Sequence, residues 1–265
     1  MKKHLSLIAA VLSCVPVLAH ADAPPAAPAP DYTLTANVGF ASDYRFRGIS
    51  QTFKNPAIQG GIDFVHKSGI YLGTWASNVE SSELAGSNME WDFYGGYNWQ
   101  INDDLAVNVG GLQYYYPGKD ETFWGFNPNT FEVYAGGTWK WINLKYSYST
   151  TKLFGIPDSK GSGYLEGNVN YPLPADFSLV LHYGHQYVAG DAAPGTSNDG
   201  YSDWKIGVTV PVLGFTAGLA YVDTNVDSSN ATWGALTAFG APQGVSSKTK
   251  DLTKGTAVLT LSKSF

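Results

Sequence analysis

Apolar and polar residues alternate with a period of two along most of the chain. Around residue 95, for example, Trp91, Phe93 and Tyr97 share one face, while Asp92 and Asn98 lie on the other. Alternation of this kind is typical of a β-strand with one apolar and one polar face. It predicts twelve strands, at 32–43, 57–66, 69–79, 89–99, 105–116, 130–140, 142–151, 162–171, 177–187, 201–210, 213–223 and 254–265.

The connections between these segments alternate strictly in length. Long connections occupy 44–56, 80–88, 117–129, 151–161, 188–200 and 224–253, and short ones occupy 66–69, 100–104, 140–141, 172–176 and 211–212. This pattern predicts an all-β fold, a transmembrane antiparallel up-and-down β-barrel of twelve strands with short periplasmic turns and long extracellular loops. The alternative, a soluble β-sandwich, has no reason to keep all its long loops at one end.

Aromatic residues support a membrane barrel because they gather at the strand ends. The topology predicts an outer girdle and a periplasmic girdle of outward side chains. The facing of segment 69–79 stays open, because both Ile70 with Leu72 and Tyr71 with Trp75 are plausible outward sets. The outer girdle includes Trp91, Tyr148, Tyr187, Trp204 and Tyr221, and the periplasmic girdle includes Trp99, Trp139 and Phe215.

Composition agrees with this prediction. Only 14% of residues are charged, 14% are aromatic, and 30 are glycine. Disorder is therefore excluded, since disordered chains are rich in charge and poor in aromatics. Outside the N-terminus, no apolar run approaches the ~20 residues that a spanning helix needs. The net charge of −6 argues against nucleic acid as a partner.

The N-terminus predicts export. Lys2 and Lys3 precede an apolar stretch, and Ala19-His20-Ala21 fits a cleavage site, so residues 1–21 are predicted to be a signal peptide. A lipoprotein signal around Cys14 is the rival interpretation. Residues 22–31 form a Pro/Ala-rich periplasmic leader, and residues 32–265 form the outer-membrane barrel. Cleavage removes the only cysteine, which excludes a disulfide framework and cysteine-ligated metals.

The inward faces predict the lining of a narrow pore. Twelve strands lie between eight-stranded barrels, which side chains fill, and sixteen-stranded ones, which leave a wide channel. An inward-folded loop would block such a lumen easily. The predicted pore-lining residues are Arg45, Arg47, Asp63, Asp92, Glu132, Lys140, Lys145, Glu166, His182 and Lys205.

Arg45 and Arg47 lie where the first long loop leaves the barrel, on one side of an extended segment. One interpretation is that they line a constriction and favour anions. The alternatives are contact with phosphate headgroups or lipopolysaccharide, and structural pairing with loop acids such as Asp43.

The main functional prediction is a porin-like channel for passive diffusion of small hydrophilic solutes or ions. Two alternatives stay open: a non-conducting scaffold or adhesin barrel, and an outer-membrane lipid-modifying enzyme. An enzyme needs a nucleophile with a histidine base, and His185 is the histidine that approaches the outer rim on the lipid side. Because His182 and His185 are an odd number of residues apart, they face opposite sides of one strand and cannot share a site.

No cofactor or metal is predicted. The segment Asp223-x-Asn225-x-Asp227 resembles the start of a calcium loop, but Ser228 and Gly234 depart from the expected Gly and Glu. A polar surface loop is therefore the default interpretation. Strand glycines, such as Gly95 and Gly96, are expected to relieve crowding in a small barrel.

Three segments carry a resemblance to a known family. They are Ser-Asp-Tyr-Arg-Phe-Arg-Gly-Ile-Ser-Gln-Thr at 42–52, the segment from Gly69 to Val79, and the terminal Ser262-Lys263-Ser264-Phe265. Together they resemble the TorF-type family of outer-membrane porins of Gram-negative bacteria. The resemblance implies a porin-like barrel and no particular solute.

The C-terminal strand resembles an outer-membrane insertion signal, with Phe265 at its end. The predicted partners are outer-membrane lipids and lipopolysaccharide, the barrel-assembly machinery, and small solutes.

Overall fold

The computed structural model describes residues 30–190, 200–226 and 250–265. The predicted signal peptide, nearly all of the leader, and Asp227 of the calcium alternative lie outside these residues. In the described part, no helix is long and apolar enough to cross a membrane. The elements are β1 (Tyr32–Ala41), β2 (Arg45–Phe46), β3 (Ile49–Ser50), β4 (Ala57–His66), β5 (Ile70–Asn78), β6 (Met89–Gln100), β7 (Leu105–Tyr115), α1 (Glu121–Trp124), β8 (Thr130–Trp139), β9 (Ile142–Ser149), β10 (Gly163–Pro172), β11 (Ser178–Tyr187), β12 (Tyr201–Val212), β13 (Phe215–Thr224) and β14 (Thr256–Ser264).

Strands β1 and β4 to β14 form a closed antiparallel barrel in which each strand pairs with its neighbours in the chain. The prediction of a twelve-stranded up-and-down barrel is confirmed. The barrel closes where β14 pairs with β1, with Phe40 opposite Leu261. Phe265 extends this junction, because its backbone N–H donates to the carbonyl of Ala36 at 2.8 Å. Closure leaves no strand edge unpaired, as a membrane requires.

The predicted alternation of connections is also present. The connections at one end of the barrel are short, such as the two-residue turn between β8 and β9. The start of β1 and the terminal Phe265 lie at this end, which is the periplasmic end, and the long connections lie at the outer end. The first long connection, residues 42–56, is called loop 1 below, and it contains the small hairpin β2–β3.

Outward and inward faces follow the period-two pattern. Apolar side chains such as Leu219 and Leu259 point outward and are half exposed in the isolated barrel. On β5, Ile70 and Leu72 are the outward residues, whereas Trp75 is buried inside. This observation resolves the open facing of that strand. The outward apolar surface is the one that lipid covers.

Glycines on the inner face make room for tyrosines. Gly96 and Gly110 lie opposite each other on β6 and β7. A Cβ atom at Gly96 would lie 2.6 Å from the Tyr71 hydroxyl oxygen, and one at Gly110 would lie 2.6 Å from that of Tyr134. The two hydroxyls also hydrogen-bond each other. Strand glycines therefore let large rings lie flat against the wall of a narrow barrel.

The assigned faces predict that the stability cost of a charged substitution depends on whether the side chain points to lipid or to the lumen. Leu219 lies in the middle of β13, opposite Val208 and Leu259. We expect Leu219→Arg to lower the free energy of unfolding by about 2–4 kcal/mol, because it places a charge against hydrocarbon. Equilibrium urea unfolding in lipid vesicles measures this change. The matched control is Thr260→Arg, which adds the same charge on the inner face; an equal loss in both variants would contradict the assigned facing.

Candidate functional site: the lumen and loop 1

Loop 1 folds into the outer mouth of the barrel as a tight hairpin. Arg45 pairs with Ser50 and Phe46 with Ile49, which leaves Arg47 and Gly48 as the two turn residues. Their φ angles are +45° and +81°, and the hairpin turn that matches strand twist requires positive φ at both positions. For Arg47 this is an uncommon conformation. Gly48 approaches the wall so closely that a Cβ atom would collide with side chains of Thr224 and Asp203.

The carboxylate of Asp43 holds the two sides of the hairpin together. It accepts hydrogen bonds from Ser50 Oγ at 2.6 Å and from Arg45 Nε at 2.8 Å. Arg45 also donates to the backbone carbonyls of Gly48 and Lys254. The pairing of Arg45 with Asp43 is therefore the structural alternative that the sequence left open, because the guanidinium is neutralised within the loop.

Arg47 projects from the turn into the lumen and reaches the opposite wall. Its Nη2 atom lies 3.0 and 2.8 Å from the two carboxylate oxygens of Glu132 on β8, and Nη1 lies 2.6 Å from Gln186 Oε1 on β11. The guanidinium carbon is 4.7 Å from the ring centre of Phe46 and 4.2 Å from that of Tyr164. Only 6% of the side chain is exposed. Although burial alone lowers the pKa of Arg47, the charge of Glu132 raises it above the usual range.

Three buried carboxylates line the outer part of the lumen beside Arg47. Glu90 and Asp92 on β6 and Glu132 on β8 are each at most 3% exposed. Glu90 accepts hydrogen bonds from the hydroxyls of Tyr44 at 2.6 Å and Tyr116 at 2.7 Å. Among the described residues, Asp92 Oδ1 has no hydrogen-bond partner. This tier of the lumen is therefore acidic, with one arginine directed into it.

The two loop tyrosines bound to Glu90 remain donors at physiological pH. Burial, and after it the charge of Glu90, raises the pKa of both Tyr44 and Tyr116 well above the usual range. Both hydroxyls therefore keep their protons. The carboxylate of Glu90 is solvated by phenols in place of water.

A second polar network lies deeper in the lumen. Lys145 Nζ is 2.7 Å from Glu166 Oε1. The Nδ1 atom of His182 lies 2.7 Å from Asn168 Oδ1, and its Nε2 atom lies 2.8 Å from Asp203 Oδ1. These side chains, except that of Asp203, keep part of their surface accessible from inside the barrel. The network is thus a partly solvated polar wall below the densely packed outer tier.

The remaining predicted lumen residues divide into two groups. Asp63 faces inward on β4 and accepts a hydrogen bond from the Tyr94 hydroxyl at 2.6 Å. Lys205 faces inward on β12, opposite His182. Lys140 requires a correction, because β8 ends one residue before it. It lies in the short periplasmic turn with φ +55° and is 3.6 Å from Asp104, so it does not line the lumen.

The aromatic residues predicted for the two girdles all lie on the outer surface. Their exposed fractions range from 37% for Phe215 to 62% for Trp99. Rings also pack along the surface, as Trp204 does against Tyr221 with 5.4 Å between ring centres. The residues are Trp91, Trp99, Trp139, Tyr148, Tyr187, Trp204, Phe215 and Tyr221, and terminal Phe265 is exposed as well.

His185 lies on the lipid side of β11, and His182 lies on the lumen side. The Nδ1 atom of His185 is 2.9 Å from Ser202 Oγ, which is the contact that a lipid hydrolase would use. Within the described ranges, no acidic side chain hydrogen-bonds its other nitrogen. Nor does any group of three or more His, Cys, Asp or Glu residues there have the geometry of a metal site.

Two acidic residues of this site were missed from the sequence. Glu90 lies two residues from the predicted Asp92 on the inward face of β6, and Asp203 lies two residues from the predicted Lys205 on the inward face of β12. The period-two pattern was sufficient to assign both residues to the inward face. The partners of Arg47 were not recognisable, since Glu132 and Gln186 are 85 and 139 residues away in the chain.

Comparison with known proteins identifies a family and agrees with the barrel fold. A family profile described as "Bacterial protein of unknown function (Gcw_chp)" matches residues 25–265. No curated protein matches the chain in sequence. The structure of the KdgM porin in complex with disordered oligogalacturonate has a TM-score of 0.50 at 10% identity, covering 88% of this chain and 99% of that chain.

Two further solved structures have lower TM-scores. The NanC porin has a TM-score of 0.49 at 12% identity, covering 87% of this chain and 98% of that chain. The outer membrane protein OprD from Pseudomonas aeruginosa has a TM-score of 0.39 at 10% identity, covering 88% and 64%. At these identities, the likeness to KdgM shows a shared fold. The TorF-type resemblance is not among these matches and stays a prediction.

The buried pair of Arg47 and Glu132 predicts a large stability effect. We expect Arg47→Met to lower the free energy of unfolding by about 3–5 kcal/mol, because Glu132 is left as an uncompensated buried charge. Adding Glu132→Gln should recover much of that loss. Urea unfolding in lipid vesicles measures both.

The control for this prediction is Lys67→Met, which breaks the exposed ion pair with Asp31 and should change stability by at most about 1 kcal/mol. Equal losses of unfolding free energy in Arg47→Met and Lys67→Met would show that the buried pair stabilises the barrel no more than the exposed pair does.

Proposed function

We propose a function from the geometry of the lumen. The chain belongs to the Gcw_chp family of bacterial proteins of unknown function, so family membership alone does not supply one. The protein is a narrow outer-membrane channel for passive diffusion of small hydrophilic solutes, and it prefers cations. Loop 1 forms its constriction. The observation that carries this proposal is the polar, partly solvated inner wall below loop 1, in a barrel whose inward faces as a whole carry more carboxyl groups than ammonium groups.

The solvated part of the wall supports passage of water and small solutes. Asn108, Asn143, Asn168 and Lys205 line the lower lumen, and each keeps part of its surface accessible. A barrel that served only as a scaffold would be stabilised equally well by an apolar filling. Partly solvated polar groups instead favour a hydrated interior.

The charge of the wall supports preference for cations. The inward faces of the described barrel strands carry more carboxylates than ammonium groups, and Arg45 and Arg47 are both paired with carboxylates. Because both charges are compensated, these arginines are not expected to attract anions. KdgM is described with oligogalacturonate, an acidic sugar polymer. The lumen of the present protein favours solutes of the opposite, positive charge. The inward carboxylates are Asp63, Glu90, Asp92, Glu132, Glu166 and Asp203, and the inward lysines are Lys145 and Lys205.

Loop 1 also supports a second candidate, a non-conducting barrel. Tyr44 and Ile49 of the loop are at most 4% exposed, and they belong to two apolar clusters that fill the outer mouth. If that packing seals the lumen permanently, the barrel would act as a scaffold or adhesin through its outer loops. The conductance of the protein in planar bilayers separates the two candidates.

The membrane setting is part of the same proposal. The exposed aromatic girdles support contact with outer-membrane lipids and lipopolysaccharide. The terminal Phe265 supports recognition by the barrel-assembly machinery, and Lys263 lies 5.1 Å from its ring centre. A signal peptide at residues 1–21 would provide export. A lipid-modifying enzyme is the less favoured alternative, because the His185–Ser202 contact has no orienting acid among the described residues.

Asp63 provides a test of cation preference. Asn at this position can still accept the hydrogen bond from Tyr94, so Asp63→Asn removes charge without removing the contact. We expect it to lower the K⁺/Cl⁻ permeability ratio by about twofold. Reversal potentials in a salt gradient measure the ratio. The control is Asp104→Asn in a periplasmic turn, which should leave the ratio unchanged; an anion-selective wild-type channel would refute the charge assignment.

Gly48 provides a test of the constriction. A side chain here would collide with Thr224 and Asp203, so Gly48→Val should dislodge the hairpin and raise single-channel conductance severalfold. Gly118→Val is the matched control, since Gly118 has a similar φ of +74° with no atom within 4 Å of an added Cβ. If Gly48→Val conducts like the wild type, loop 1 is not the constriction. If both carry no current, the scaffold candidate is favoured.

A further inference from the structure

The contacts of Arg47 describe a binding site that belongs to the barrel wall. Glu132 lies on β8, Tyr164 on β10 and Gln186 on β11, so three strands contribute to it. Arg47 itself comes from loop 1 and is not covalently part of this wall. The site can therefore be considered separately from the group that fills it.

The wall residues are held in place by contacts that do not involve loop 1. Gln186 Nε2 donates to the backbone carbonyls of Gly163 at 3.0 Å and Tyr187 at 2.9 Å, which leaves its Oε1 atom directed at the lumen. The Tyr164 hydroxyl donates to Asp203 Oδ2 at 2.8 Å, which fixes the plane of the ring. Glu132 accepts a hydrogen bond from Ser149 Oγ at 3.3 Å. The acceptors would keep their positions if Arg47 withdrew.

The shape of the site favours a guanidinium group over an ammonium group. Both oxygens of the Glu132 carboxylate accept from one terminal nitrogen of the planar cation, Gln186 Oε1 accepts from the other terminal nitrogen, and the Tyr164 ring offers a face for stacking. A guanidinium matches all three, because it is planar, has donors on several edges and stacks on aromatic rings. An ammonium is a compact point charge that cannot stack in this way.

We propose that Glu132, Gln186 and Tyr164 form a recognition site for solutes that carry a guanidinium group, and that Arg47 occupies it as an internal substitute. Such a solute enters the site by exchanging with Arg47. The inference rests on the proposed channel and names the class of cation that its constriction recognises. Loop 1 then withdraws as the solute binds, because both cations cannot pair with the single carboxylate of Glu132.

The Arg47 guanidinium is held in the site by Glu132, Gln186 and Tyr164, and a free guanidinium solute can make the same contacts. The exchange therefore replaces one guanidinium group by another at the same acceptors.

Binding is tested first by thermal unfolding of Arg47→Ala in detergent micelles. We expect methylguanidinium to raise the unfolding midpoint by on the order of 3 °C at concentrations well above its dissociation constant, and methylammonium to have much less effect. Lys67→Ala is the control, because it removes an exposed cation outside the hairpin without emptying the site. In Arg47→Ala with Glu132→Gln, the selective shift should disappear.

Permeation is tested in planar bilayers with the same variants. We expect methylguanidinium to reduce the current through Arg47→Ala at about tenfold lower concentration than methylammonium, and the wild type to need more of it because Arg47 competes. If Arg47→Ala does not fold, Arg47→Lys replaces it, since it keeps the charge but cannot form the planar pairing. The midpoint of Arg47→Lys should then respond more strongly than that of the wild type.

The possible results distinguish this inference from the proposed channel. Equal effects of methylguanidinium and methylammonium, or selectivity that survives Glu132→Gln, would overturn the guanidinium site even if the protein conducts cations. A selective midpoint shift in a protein that carries no current would support the site and refute the channel. Both effects together support both.

Discussion

Closure of the barrel is the constraint on which the rest of the structure depends. In hydrocarbon, every strand needs partners on both sides, and here the last strand finds its partner in the first. Closure fixes which face of each strand meets lipid, and it confines all inward side chains to one narrow space. Glu90 and Asp92, two residues apart on one strand face, therefore form a cluster of carboxyl groups with Glu132, although neither residue is close to Glu132 in sequence.

The narrowness of the lumen explains why a single loop can fill its outer mouth. Twelve strands enclose little space, and large rings such as Tyr71 and Tyr134 already occupy part of it. The hairpin of loop 1 completes the filling and brings one cation to a tier of three carboxylates. Below that level, the polar groups of the wall are partly accessible. The protein thus combines a packed outer mouth with a partly solvated interior, and this division underlies both proposals.

Much of the barrel could be predicted from the sequence, because local alternation determines facing, and turn lengths determine which end is which. The period-two pattern gave the strands to within a few residues and assigned His182 and His185 to opposite sides. Lys140 was misassigned because alternation continues past the last hydrogen-bonded residue of β8. The insertion of loop 1 was only an option, since it depends on pairing between Arg47 and residues far along the chain. Nothing local to Arg47 identifies Glu132 or Gln186 as its partners.

The position of Arg47 near the start of the chain has a consequence for assembly. Its partners Glu132 and Gln186 lie on β8 and β11, so Arg47 has no partner until most of the strands are in place. The contacts of Arg47 therefore form only after this part of the wall has formed. In a barrel that lacks β8 or β11, the Arg47 side chain would stay unpaired at the outer end. The loop that narrows the finished pore can therefore make all its contacts only in a barrel that contains these strands.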